Sequence, residues 1–169
     1  MIHVCSLARL PDTVVTTGAR HVVSLLAKDD PLARPATIAP ENHLWLQVHD
    51  IIEPMEGYVM PQHRHVRDLI GFVERWPRRT PLVIHCYAGV SRSTAAAYVA
   101  VCVLNPGSDE HRIARVLRNA SPTAMPNIRI VAVADELLGR QGRMVSAIRA
   151  IGAGRMSEAQ PFQIAAVGH

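Results

Sequence analysis

Cys86, Gly89, Arg92 and Ser93 fall in one short run, His85-Cys86-Tyr87-Ala88-Gly89-Val90-Ser91-Arg92-Ser93. The apolar Pro81-Leu82-Val83-Ile84 precedes it and the helix-prone Thr94-Ala95-Ala96-Ala97-Tyr98-Val99-Ala100 follows it. A buried strand therefore ends at a thiol, turns, and enters a helix. Such a turn is an anion cradle. Its N–H groups, and those of the first helical turn, have no intrahelical partner and point with the helix dipole at any oxyanion held there. Tyr87, Ala88, Gly89, Val90 and Ser91 supply that backbone between Cys86 and Arg92. Gly89 permits a tight turn or a close approach of backbone. Arg92 adds a planar guanidinium that grips two oxygens of one phosphoryl group, which a Lys cannot do. The positive field favours the thiolate of Cys86, its nucleophilic form. Ser93 can donate a hydrogen bond to that sulfur and ease its departure from a thiophosphate. His85 is expected to hydrogen-bond backbone behind the loop and hold Cys86 in place rather than act as a base.

A lone Cys at the end of a buried strand is ordinarily a small core hydrophobe, and Cys5 and Cys102 are read that way. Cys86 differs, because an apolar core has no use for the Gly and Arg beside it. The pattern His-Cys, five residues, Arg, then Ser resembles the cysteine-dependent protein tyrosine phosphatase superfamily. The Ala88-Gly89-Val90-Ser91-Arg92-Ser93 run is similar to its dual-specificity branch. The resemblance implies hydrolysis of a phosphorylated protein or peptide through a cysteinyl-phosphate intermediate, with no metal and no organic cofactor. The lipid-directed branch places Lys within the cradle, whereas Tyr87, Ala88, Val90 and Ser91 bring no charge.

Hydrolysis also needs a proton for the leaving oxygen. Asp50 stands where the strand-like His43-Leu44-Trp45-Leu46-Gln47-Val48 ends and a Pro- and Gly-containing loop begins. The resemblance puts the general-acid Asp at this place in the order of elements. Glu53 and Glu56 on the same loop are alternative donors, and an Asp there can also simply cap a turn. Pro126-Asn127, ahead of a further helix, resembles a pair whose Asn lies near the active-site loops; a helix cap explains Asn127 equally well.

The elements that must position these residues alternate along the chain. Strands are expected over 2–10, 21–26, 43–48 and 82–85, with a short helix between the first two and a Pro-rich surface connection over 28–40. A helix over 61–76 carries Val66, Leu69, Ile70 and Val73 on one face and stops at Pro77. After the cradle the pattern is helical: 92–104, then 109–119 with Ile113, Val116 and Leu117 as its stripe, then a helix from Asn127 to Leu138 and a short one over 144–151. Residues 152–169 read as a loose tail. The fold class is thus α/β, a central mainly parallel sheet flanked by helices with the site at the carboxyl ends of the strands, and the resemblance implies its protein tyrosine phosphatase-like form, dual-specificity type. Residues 1–140 make the catalytic domain and 141–169 a C-terminal extension.

The remaining composition narrows the function classes. At 169 residues with 49% hydrophobic and 19% charged residues, the chain can bury a good core. A net charge of +4 is spread over scattered Arg residues, with no block dense enough for a nucleic-acid tract. The three cysteines have neither disulfide nor zinc spacing, which fits a reduced compartment. No secretory signal opens the chain and no apolar run is long enough for a membrane span, so a cytoplasmic protein is expected. The oligomeric state is not readable. Two other readings stay open: a rhodanese-like sulfurtransferase or arsenate reductase, which also use a Cys-centred oxyanion loop, and a phosphate-dependent binding module without turnover.

Overall fold

The expected apolar runs form β1 (Ile2–Ser6), β2 (His21–Leu26), β3 (His43–Gln47) and β4 (Leu82–Cys86) in a computed structural model that describes residues 1–166. With β5 (Phe162–Ile164) they make a 5-stranded sheet in the order β3-β2-β4-β1-β5. The first four strands are parallel, and β5 alone runs antiparallel, on the outer edge of β1. A sheet covered on both faces explains why β2 and β4 are buried along almost their whole length.

The helices are α1 (Leu10–Thr17), α2 (His63–Arg75), α3 (Arg92–Leu104), α4 (Glu110–Ala120), α5 (Ile128–Leu137) and α6 (Arg143–Ala150). They divide unequally between the faces. Cys5, Val22 and Val83 pack with Leu10 and Val14 of α1 and with Ile38 from the surface connection. Val4, Val23, Leu25, Leu82, Ile84 and Cys86 face the larger core built with α2 to α6. Because side chains alternate along β4, Cys86 lies on the larger-core side and His85 on the α1 side.

Three expectations about the elements are corrected. The first strand ends at Ser6 and does not run to residue 10: Leu7–Arg9 turns as a short 3-10 helix and α1 already starts at Leu10, with Pro11 in its first turn, where no N–H is needed. Val116 is 44% exposed, while Glu110, Ile113, Ala114 and Leu117 are buried. Those four positions recur at i, i+3, i+4 and i+7, the single stripe a short helix buries, and Val116 falls outside it. The expected loose tail over 152–169 is ordered in part: Phe162–Ile164 pairs with β1, and Asn105 Nδ2 donates to the Ala166 carbonyl at 2.8 Å. Pairing with a distant strand, not local pattern, makes this strand; residues 167–169 lie outside the described part. The extension is also tied in through α6, whose first N–H groups meet the Asp135 carboxylate of α5, Gly142 N at 2.6 Å and Met144 N at 2.7 Å. Met144, Ala147, Ile148 and Ile164 join the main core.

Candidate active site

The cradle forms where β4, at the centre of the sheet, passes into α3. Its shape depends on Gly89, which has φ of 75°, a conformation costly for any residue with a Cβ. A Cβ there would also lie 2.9 Å from Cys5 C and 2.9 Å from Ser6 N, so the loop is pressed onto the end of β1. Leu7 N donates to the Tyr87 carbonyl at 3.1 Å, and on the far side Met125 N donates to Val90 O at 3.0 Å. The loop is thus fixed from both flanks.

Cys86 is buried at the cradle floor and lines an open cleft of about 1310 Å³. Gly89 N–H donates to its Sγ at 3.3 Å, and Ser93 Oγ lies 3.1 Å from the same sulfur. Both donors can stabilise negative charge on sulfur. Cys5 and Cys102 sit in dry core, where burial pushes their thiols up to about 11 and about 12. All three are free thiols.

The expected backbone hydrogen bond from the His85 ring is not made: Nδ1 is buried with no hydrogen-bond partner among the described residues, and the ring bonds a side chain. Its Nε2 is 2.6 Å from Ser24 Oγ, and the same hydroxyl is 2.8 Å from His43 Nε2. Ser24 and His85 are direct register partners across β2 and β4. Burial lowers the His85 pKa to about 4, against a backbone contact at Cys86 that favours the protonated ring. The ring is thus a neutral strut behind Cys86. In the sequence, Ser24 is only a Ser inside the apolar Val22-Val23-Ser24-Leu25-Leu26 run, which marks a buried polar side chain but not its partner.

Arg92 opens α3 and is buried on the floor of the cleft beside Cys86. One terminal nitrogen donates to the Val48 carbonyl at 2.8 Å. Its Nε is buried and has no hydrogen-bond partner among the described residues. A buried donor without an acceptor is costly, and in this cleft an oxyanion would satisfy it.

Asp50 also lines the cleft. Its Oδ1 accepts from Ser91 Oγ at 2.7 Å and from Asn127 Nδ2 at 2.8 Å. Both bonds converge on Oδ1, so Oδ2 is the oxygen available to carry a proton. The loop after Asp50 is closed at its neck by His49 and Val59, each N–H bonding the other residue, at 2.8 Å to Val59 O and 2.8 Å to His49 Nδ1. Glu53 lines the cleft as well; Glu56 does not. Asn127 combines the two roles the sequence left open. While Nδ2 holds Asp50, its Oδ1 caps α5 by accepting from Arg129 N at 3.0 Å and Ile130 N at 3.1 Å.

The structure therefore brings Cys86, Arg92, Ser93, Asp50, Ser91 and Asn127 around one cleft. Unforeseen in the lining are Met125 and a stretch of the extension, Arg155, Met156 and Ser157. Among the described residues no group of three or more His, Cys, Asp or Glu side chains is arranged to hold a metal ion. No helix among them is long and apolar enough to cross a membrane.

A central strand ending in a buried Cys, a cradle and a helix that opens on Arg define a known architecture. This chain has the fold of the cysteine-dependent protein tyrosine phosphatases, in its dual-specificity form. The crystal structure of DUSP15 matches it with a TM-score of 0.64 over 93% of either chain, at 18% identity. Human DUSP28 matches with a TM-score of 0.62 over 83% of this chain and 92% of its own, at 16% identity. PTPMT1, solved in complex with PI(5)P, matches with a TM-score of 0.61 over 90% of this chain and 95% of its own, at 14% identity. The sequence matches no family model and no curated protein.

Proposed function

We propose that this chain is a phosphoric monoester hydrolase of the dual-specificity type, acting on phosphotyrosine in a protein or peptide, with phosphoserine and phosphothreonine as further substrates. Residues 1–140 carry its catalytic groups. The observation that carries the reading is the convergence at Cys86: two donors on its sulfur, and Arg92 and Asp50 in the same cleft.

Chemistry follows from these positions. A phosphoryl group in the cradle is held by loop N–H groups and by Arg92 Nε, which take up the charge spread over its equatorial oxygens. Cys86 Sγ forms a bond to phosphorus as the bond to the leaving oxygen breaks, and Asp50 gives that oxygen its proton. Asp50, now a carboxylate, takes a proton from water while the water oxygen attacks phosphorus. The P–S bond breaks, inorganic phosphate leaves, and Ser93 steadies the released thiolate. Tyr87, Ala88, Gly89, Val90 and Ser91 contribute backbone; His85 and Asn127 position Cys86 and Asp50. No step calls on a metal or a cofactor.

Sulfur transfer has no use for a proton donor at Asp50, and a pure binder has no use for a nucleophile. The test is phosphate release from an aryl phosphate and a phosphotyrosine peptide, with trapping of a phosphoryl group on Cys86 after acid quench. Persulfide formation from thiosulfate without phosphate release would overturn the proposal.

A further inference from the structure

Residues 152–157 follow the last helix and belong to no catalytic motif, yet Arg155, Met156 and Ser157 form one wall of the cleft. Their backbone is held closely. Arg155 N donates to the Pro122 carbonyl at 2.8 Å. The Arg118 guanidinium bridges the two segments, donating to Pro122 O at 2.9 Å and to Gly152 O at 2.9 Å. Gly154 lies so near that a Cβ would meet Thr123 O at 2.4 Å and Ala124 O at 2.7 Å. The loop they lean on is joined to the cradle in turn, since Met125 N donates to Val90 O at 3.0 Å and Asn127 N to Ser91 O at 3.2 Å. A backbone relay thus fixes Arg155 and Met156 relative to Cys86.

The charged residues lining the cleft are Asp50, Glu53, Arg92 and Arg155. Arg92 is engaged at Val48 and at the cradle. Arg155 is exposed, and its guanidinium has no hydrogen bond or ion pair among the described residues. Beside it Met156 is 93% exposed and Met125 43%, with Ile52 and Met55 exposed on the Asp50 loop. Exposed apolar side chains gathered round one cleft mark a recognition surface, and methionines adapt to varied partners.

We infer that Arg155 is a specificity determinant that pairs with an Asp or Glu side chain next to the phosphorylated residue of a peptide substrate, while Met125 and Met156 cover that peptide's apolar flank. This rests on the phosphatase reading above. Glu53 lines the cleft from the Asp50 loop, so the acidic residue is read on one side of the phosphotyrosine only. The C-terminal extension is then part of the substrate site.

The test is kcat/KM for phosphotyrosine peptides carrying Glu or Lys on the N-terminal or the C-terminal side, at low and high salt. Wild type should favour Glu over Lys on one side by about fivefold, the ratio of one exposed ion pair of about 1 kcal/mol, and less so in high salt. Arg155→Ala should erase that ratio and Arg155→Glu invert it. Gly154→Ala keeps the Arg but cannot keep its backbone against Thr123, and should erase the ratio too. Circular dichroism checks that each variant is folded. An unchanged ratio in both Arg155 variants, with the aryl phosphate still hydrolysed, overturns the inference alone. Faster turnover of phosphoinositide vesicles than of any peptide, lowered by Arg155→Glu, overturns it in favour of a lipid. Absence of aryl phosphate turnover in wild type overturns the function itself.

Discussion

Asn127 donates its Nδ2 to Asp50 Oδ1 at 2.8 Å across 77 residues of chain, and its Oδ1 meanwhile caps α5. One side chain thus fixes both Asp50 and a helix end, and substitutions separate the two. Asn127→Asp keeps the capping oxygen but sets a second carboxylate against Asp50. It should slow turnover of a phosphotyrosine peptide by at least tenfold while the melting temperature holds. Asn127→Ala should also lose about 1 kcal/mol of stability with the cap. Equal activity in Asn127→Asp and wild type would show that Asp50 does not depend on this contact.

Asp50→Asn should slow a phosphotyrosine peptide by about 10²–10⁴-fold, the range of general acid catalysis. An activated aryl phosphate, whose phenolate leaves without a proton, should lose much less. The basic limb of the rate against pH should vanish in the variant. Equal modest losses on both substrates, with that limb kept, would move the role to Glu53, which shares the cleft.

Arg92→Lys should cost about 10²–10³ in kcat, the loss of one preorganised oxyanion donor. Lysine can keep the charge, but it cannot both reach Val48 O and present Nε to the phosphoryl group. Gly89→Ala should be comparably damaging, since its Cβ meets the backbone of Cys5 and Ser6. Near-normal rates in Arg92→Lys would dismiss the bidentate clamp.

Brief peroxide treatment should oxidise Cys86 before the other thiols. Only Cys86 of the three lines the cleft, and burial holds Cys5 and Cys102 protonated, up to about 11 and about 12. Mass mapping of the sulfenic acid, reversible by a thiol reductant, reads the order directly. First labelling at Cys102 would remove Cys86 as the activated thiol.

His85 makes stability depend on pH. Unfolded, the ring takes a proton near 6.5; folded, burial lowers that to about 4. Between these values the unfolded chain binds more protons, so stability is full above about 6.5 and falls as pH drops toward about 4. The loss from this residue is at most about 3 kcal/mol. Burial lowers His3, His21, His43 and His65 in the same direction. Urea unfolding of wild type and His85→Asn isolates the one residue: their gap in free energy should narrow from pH 7 to pH 4.5. A constant gap would mean that folded His85 takes its proton near 6.5 as the unfolded ring does, so that burial does not lower it.

The cradle was legible because its chemistry lies in adjacent residues: a thiol, a glycine, an arginine and a serine within one turn. The strands and helices around it were legible from apolar period and from Pro and Gly punctuation. Contacts made across the sheet were not. Nothing local to Ser24 announces that it bridges His43 and His85, and nothing local to Phe162 announces a partner on β1. Val116 misled because it is apolar at a position that helical geometry turns to solvent. Arg155 fell in the stretch read as a loose tail; its N–H bond to Pro122, the Arg118 bridge and the close approach of Gly154 to Thr123 put it in the cleft.

The place of β5 at the outer edge of β1 has a bearing on how this protein keeps to itself. A parallel sheet whose last strand is bare offers a row of open N–H and C=O groups to any passing chain. Here three residues, Phe162–Ile164, cover Ile2, His3 and Val4. The same β1 braces Gly89 at its other end. Trimming the chain at residue 151 would uncover that edge one strand away from β4, and the shortened protein should self-associate in light scattering while the full chain does not. That outcome would make the extension a guard against aggregation and a fragment ending at residue 151 a poor reagent.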